Sequence, residues 1–154
     1  MDLLSSCGLH AGTFVFCAMS GFVPVMNSEV FLLYVGSIAS PAELPGLVLV
    51  AALGQMSAKS LLYFGGRGVL KLPGGRSPAR MDAVRTRLSG GRRTAGGITF
   101  VSALTGIPPF YATSVIAGAL GWPFGRFILH GTAGRILRFS TVLFLPGLLR
   151  EATR

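Results

Sequence analysis

"GFVPVMNSEVFLLYVG", residues 21–36, is the stretch that decides how this chain folds. It places Pro24, Asn27 and a single carboxylate, Glu29, inside a long apolar segment. Proline lacks a backbone N–H and clashes with the preceding helical turn, so one continuous helix through Pro24 is disfavoured. The stretch therefore predicts two helices separated by a break, with a carboxylate directly after that break.

The composition of the whole chain indicates which solvent surrounds that carboxylate. Of the 154 residues, 51% are hydrophobic and only 12% are charged, whereas soluble domains carry about 25% charged residues. Fourteen Lys and Arg stand against five Asp and Glu, but nucleic-acid-binding proteins are rarely this apolar. We therefore predict an all-α integral membrane protein with no nucleic-acid partner, in a single domain over residues 1–154.

Two segments are long enough to cross a hydrocarbon core, which needs about 20 helical residues. They are residues 46–64 and 126–149, and the pair Gly65-Gly66 is expected to end the first span. Between the spans lies the hydrophilic segment 65–97, with eight cations against one acid, Asp82. Because cytoplasmic loops carry such an excess of cations, we expect this segment to be a cytoplasmic loop of a multi-pass protein in the cell (inner or plasma) membrane.

Two further apolar segments, 3–40 and 98–124, are interrupted by the sequence Gly-x-x-Pro, at 21–24 and at 106–109. We expect each interrupted segment to form a re-entrant hairpin shaped by its turn residues, which are Pro24 and Asn27 in the first and Pro108 and Pro109 in the second. A hairpin followed by a span then occurs twice, which is typical of an inverted repeat.

Charged residues inside these segments are candidates for a functional site, because a charge near the bilayer centre costs about 3 kcal/mol or more. Glu29 is a candidate proton or headgroup site, or alternatively part of a helix cap with Asn27 or Ser28. Arg135 and Arg138 share one helical face and can bind a phosphate through their guanidinium groups. The alternatives for these arginines are an ion pair with Glu29 or snorkelling, and Lys59 can snorkel or join the site.

Four motifs resemble the DedA superfamily of SNARE-associated Golgi (VTT-domain) membrane proteins, and its small YqaA-like branch in particular. They are "VPVMNSEVFLLYVG", "ALGQMSAKSLLYFGGRG", "GIPPFYATSVIAGALGW" and "GRILRF". The resemblance implies two hairpins that face each other across the bilayer and a role in moving polyprenyl phosphate or phospholipid, sometimes linked to protons. Glu29 carries over by position. The chain departs from the better-known transporters upstream of the first turn and around Pro108-Pro109, where it lacks their second acid and their arginine pair.

The sequence thus predicts a transporter or scramblase of anionic lipid, with Glu29, Arg135, Arg138 and Lys59 as candidate substrate- or ion-binding residues. Membrane lipid is the expected partner, protons are a further candidate, and a homo-oligomer is compatible with the sequence. No nucleophile–base pair or His–Cys metal cluster is visible, so neither an enzyme nor a metal or cofactor site is expected. The alternative is a non-transporting membrane protein that supports envelope integrity or membrane-protein assembly.

Overall fold

The computed structural model describes residues 3–23, 26–69 and 92–152. Within these ranges the regular structure is entirely helical, which confirms the all-α class for the described part of the chain. Its six helices are α1 (Leu3–Phe22), α2 (Ser28–Ile38), α3 (Leu44–Val69), α4 (Arg92–Thr105), α5 (Phe110–Ala119) and α6 (Phe124–Ala152). Pro24 and residues 70–91 of the predicted loop lie outside the described residues.

The first break separates α1 from α2, which pack beside each other. Helix α2 begins at Ser28 because Asn27 caps it: the Asn27 Oδ1 atom accepts hydrogen bonds from the backbone N–H groups of Glu29 at 2.9 Å and Val30 at 3.4 Å. Such a cap satisfies N–H groups that have no partner within the helix. Asn27 therefore places Glu29 in the first turn of α2.

The second break separates α4 from α5, which also pack beside each other. Gly106 has a φ of 82°, a left-handed backbone that favours glycine. The Ile107–Pro108 peptide bond is cis, and Pro109 directly precedes α5. Ser102 stabilises the turn, because its Oγ atom donates a hydrogen bond of 2.5 Å to the Pro108 carbonyl oxygen.

The prediction that Gly65-Gly66 ends the first span is wrong, because α3 continues through both glycines to Val69. The reason is packing. A Cβ atom on Gly66 would collide with the backbone of Val115 in α5, so glycine at this position permits close helix approach rather than a stop. Helix α4 in turn begins at Arg92, so residues 65–69 and 92–97 of the predicted loop are helical.

Within the described ranges, one helical segment is long and apolar enough to cross a membrane, Leu44–Gly68 in α3. Helix α6 contains the second predicted span but carries Arg126, Arg135 and Arg138, and it does not meet the same test. Shorter apolar helices of 10–17 residues lie in α1, α2, α4 and α5.

The chain divides into two compact units, each built from one broken helix pair and part of each long helix. Unit 1 comprises residues 1–58 and 135–154, and unit 2 comprises residues 59–134. The core of unit 1 is mainly aliphatic and includes Leu32, Leu47 and Phe139, all fully buried. Unit 2 contains a cluster of aromatic rings around the buried Tyr63, formed by Phe64, Phe110, Phe124 and Phe127.

Candidate functional site

Glu29 of α2 and Arg138 of α6 form an ion pair in unit 1. The Nε atom of Arg138 donates a hydrogen bond of 2.6 Å to Oε1 of Glu29, and Nη2 of Arg138 contacts the same oxygen. The side chains are 33% exposed for Glu29 and 22% exposed for Arg138. Both side chains of the pair are thus partly buried.

The N-terminus of α2 adds to the electrostatics of this pair. The first turn of a helix presents the positive end of the helix dipole, which favours a carboxylate or another anion there. Glu29 is the acidic residue of that turn. The structure therefore combines two of the predicted roles of this region: Asn27 is the cap, and Glu29 is the counter-charge of an arginine.

Arg135 lies one helical turn before Arg138 in α6 and is only 8% exposed. Its guanidinium carbon lies 6.0 Å from the centroid of the Phe139 ring, a cation–π arrangement. Arg135 interacts electrostatically with Arg138, Glu29 and the buried Cys17. The structure therefore brings together three of the predicted site residues as one carboxylate and two guanidinium groups.

The remaining predicted residues do not belong to this group. Lys59 is 5% exposed, so it is buried, and it belongs to unit 2. Pro108 and Pro109 lie in the turn between α4 and α5, also in unit 2. Pro24 lies outside the described residues.

A second polar group in unit 1 escaped the sequence analysis. Gln55 of α3 is 4% exposed, and its Nε2 atom donates to Oγ of Ser28 at 2.8 Å and to Oγ of Ser20 at 3.1 Å. The hydroxyl of Ser20 in turn donates to the Cys17 carbonyl oxygen at 2.9 Å. Gln55 thus connects the end of α1 to the first residue of α2. The sequence signal for this role was the single amide side chain of Gln55 in the middle of an apolar span.

No cluster of three or more His, Cys, Asp or Glu residues suited to a metal ion occurs within the described part of the chain. The chemistry that the arrangement supports is instead anion binding. Two guanidinium groups provide bidentate donors, the helix terminus adds a favourable field, and Glu29 offsets one of the two positive charges.

The described residues thus define an all-helical protein with a partly buried arginine–glutamate group. Comparison of the chain with protein-family models, with curated proteins and with solved structures found no match in any of the three.

Proposed function

We propose that this chain is a multi-pass integral membrane protein of the DedA type that moves anionic lipid between the leaflets of a bilayer, as a transporter or scramblase. The phosphate of the lipid headgroup binds to Arg135 and Arg138, and Glu29 is their counter-charge when no lipid is bound. The observation that carries this proposal is the group formed by the Arg138–Glu29 ion pair and Arg135, which joins α2 to α6.

The surface of the described residues supports a membrane environment. All six helices expose large apolar side chains, for example Leu33 at 45%, Leu61 at 62% and Leu129 at 67%. Water-soluble proteins rarely expose extensive apolar surface, and large patches of it mark contacts with a membrane or a partner. Helix α3, which is long enough to span, supplies a candidate crossing.

The geometry of the arginines supports phosphate as the ligand group. Arg135 and Arg138 are three residues apart in α6 and therefore lie on the same side of the helix. With one carboxylate against two guanidinium groups, the site carries one positive charge in excess. A phosphodiester carries the single negative charge that would balance this excess, and guanidinium groups bind phosphate oxygens in pairs.

We further propose that the two broken helix pairs are the re-entrant hairpins of an inverted repeat. Similar glycine contacts in the two units support this. A Cβ atom on Gly54 of α3 would lie 2.5 Å from the Phe14 carbonyl oxygen and 3.2 Å from the Ala18 nitrogen of α1. A Cβ atom on Gly134 of α6 would meet the Phe100 carbonyl oxygen at 2.8 Å and the Leu104 nitrogen at 3.2 Å, in α4. In each unit, a glycine of the long helix thus packs against a carbonyl oxygen of the first hairpin helix and against the backbone nitrogen four residues after it.

A glycine–histidine contact also occurs in each unit, with the glycine on the long helix in unit 1 and on the hairpin helix in unit 2. A Cβ atom on Gly46 of α3 would lie 2.8 Å from His10 Nε2 of α1, and one on Gly96 of α4 would lie 2.9 Å from His130 Nε2 of α6. In each unit, a histidine ring thus lies over a glycine where a hairpin helix meets a long helix. An inverted repeat with a site in its broken segments is a common plan for membrane transporters.

Lipid movement in vesicles tests the proposal. The purified protein is reconstituted with a trace of fluorescent phosphatidylglycerol, and a membrane-impermeant quencher reports how fast lipid leaves the inner leaflet. We expect the wild-type protein to accelerate this movement and Arg135→Gln to abolish it.

Arg126→Gln is the matched control, because it removes the same charge from an exposed position of the same helix. It should retain the wild-type rate. Wild-type vesicles that move lipid no faster than protein-free vesicles would contradict the proposal and favour the non-transporting alternative.

A further inference from the structure

The buried amide of Gln55 has one atom without a hydrogen-bond partner. Its Oε1 atom is shielded from solvent, and no donor among the described residues reaches it. The Gln55 side chain is 96% buried, since only 4% of the residue is exposed. A buried acceptor without a donor is costly, and such a group in a native protein calls for an explanation.

The hydrogen bonds of Ser20 establish which end of the amide lacks a partner. The single proton of the Ser20 hydroxyl is donated to the Cys17 carbonyl oxygen at 2.9 Å. Ser20 Oγ can therefore only accept from Gln55, which requires the Nε2 end of the amide to face the serines. Oε1 is thus an acceptor that needs a hydrogen-bond donor.

The Gln55 amide and the arginine–glutamate group are bound to neighbouring residues of α2. Gln55 binds Ser28, and Arg138 binds Glu29, so the two polar groups meet on the first two residues of α2. The capped N-terminus of α2, two guanidinium groups and an unsatisfied amide oxygen thus belong to one region of unit 1. That combination suits a ligand with a phosphate at one end and a hydrogen-bond donor at the other.

We propose that Gln55 is a specificity residue whose Oε1 atom accepts a hydrogen bond from a hydroxyl of the lipid headgroup. This inference rests on the proposed function, in which Arg135 and Arg138 bind the phosphate of the same lipid. The donor is a hydroxyl rather than an ammonium, because the site already carries an excess positive charge. The substrate class is then a phosphodiester lipid with a hydroxylated headgroup, such as glycerol or inositol, in preference to a phosphate without such a group.

Two lipids of equal charge test this inference. Phosphatidylglycerol and phosphatidylmethanol are both singly charged phosphodiesters, but only the first has headgroup hydroxyls. We expect wild-type protein to move phosphatidylglycerol about tenfold faster, the effect of roughly one hydrogen bond to a buried acceptor. Gln55→Met should lower the phosphatidylglycerol rate to that of phosphatidylmethanol and leave the phosphatidylmethanol rate unchanged.

Ser57→Ala is the control, because Ser57 is an exposed residue of the same helix whose hydroxyl donates to the Leu53 carbonyl oxygen. Both lipid rates should be unchanged in it. Equal wild-type rates for the two lipids would overturn the inference, even if Gln55→Met failed to fold. An equal loss of both rates in Gln55→Met would also overturn it, since Gln55 would then only hold the helices together. Absence of movement of either lipid by wild-type protein would instead contradict the proposed function itself.

Discussion

Arg138 and Glu29 are 109 residues apart in the chain, yet the Nε atom of Arg138 donates a hydrogen bond of 2.6 Å to Oε1 of Glu29. The bond joins α6 to the first turn of α2. The bond connects the two chain segments of unit 1, residues 1–58 and 135–154. It also holds the Arg138 guanidinium group at the N-terminus of α2, and helix N-termini bind anions favourably. The pair therefore contributes to the structure of unit 1 and, in the proposed function, to lipid binding.

The structural contribution is tested by Glu29→Gln. This change leaves Arg138 without its counter-charge, and we expect a loss of about 1–3 kcal/mol in the free energy of unfolding. The loss is smaller than for a fully buried pair because both side chains are partly exposed. Thermal unfolding of the purified protein in detergent should show a Tm lower by several degrees.

Double variants identify the partner of Glu29. Glu29→Gln combined with Arg138→Gln should recover most of the lost stability, because no unpaired charge remains at that position. Glu29→Gln combined with Arg135→Gln should recover less. If the double variant with Arg135→Gln were more stable than the one with Arg138→Gln, Arg135 would be the principal partner of Glu29.

Asn27 is predicted to stabilise α2 through its cap. Asn27→Ala removes the acceptor for the Glu29 and Val30 N–H groups and should lower stability by about 1 kcal/mol. Asn27→Ser keeps a side-chain acceptor and should cost only a small fraction of this. Equal Tm values for the wild type and the alanine variant would rule out a stabilising cap.

Adjacent glycines of α3 provide a matched test of helix packing. A Cβ atom on Gly66 would collide with the backbone of Val115, whereas nothing lies within 4 Å of one on Gly65. Gly66→Ala should destabilise the protein by about 1–3 kcal/mol through overpacking. Gly65→Ala should stabilise it by about 0.5–1 kcal/mol, because alanine is the better helix former. Similar Tm shifts in the two variants would contradict the close approach of α3 and α5.

The proposed orientation in the membrane rests on the basic segment 65–97, which contains eight cations and one acid. A single cysteine at Ser89, in a chain with Cys7 and Cys17 replaced, should react with an impermeant thiol reagent only after the inner face is exposed. Reaction in intact cells would place the segment outside and contradict the predicted topology.

Local backbone chemistry made part of the fold predictable. Asn27 directly after one break and Pro108-Pro109 within the other marked where helices end, and the structure breaks the helices at those places. The pair Gly65-Gly66 misled the prediction, because the same residue serves as a helix terminator and as a close-packing residue. Only the position of Val115 on a neighbouring helix distinguishes the two roles.

The site was predictable as a set of residues but not as a geometry. Arg135 and Arg138 lie three residues apart, so periodicity places both on one side of α6 and cannot choose the partner of Glu29. The structure shows the ion pair with Arg138. The role of Gln55 could not be predicted, because it depends on Ser20 and Ser28, which lie 35 and 27 residues away in the chain.

In the proposed function, the guanidinium groups of Arg135 and Arg138 bind lipid phosphate and do more than hold α6 to α2. Phosphatidylglycerol movement by the double variant Glu29→Gln/Arg138→Gln separates the two roles, because the variant removes both members of the ion pair. We expect this double variant to have a near wild-type Tm and to move phosphatidylglycerol no faster than protein-free vesicles do. A double variant that folds and moves the lipid at the wild-type rate would contradict the proposed function.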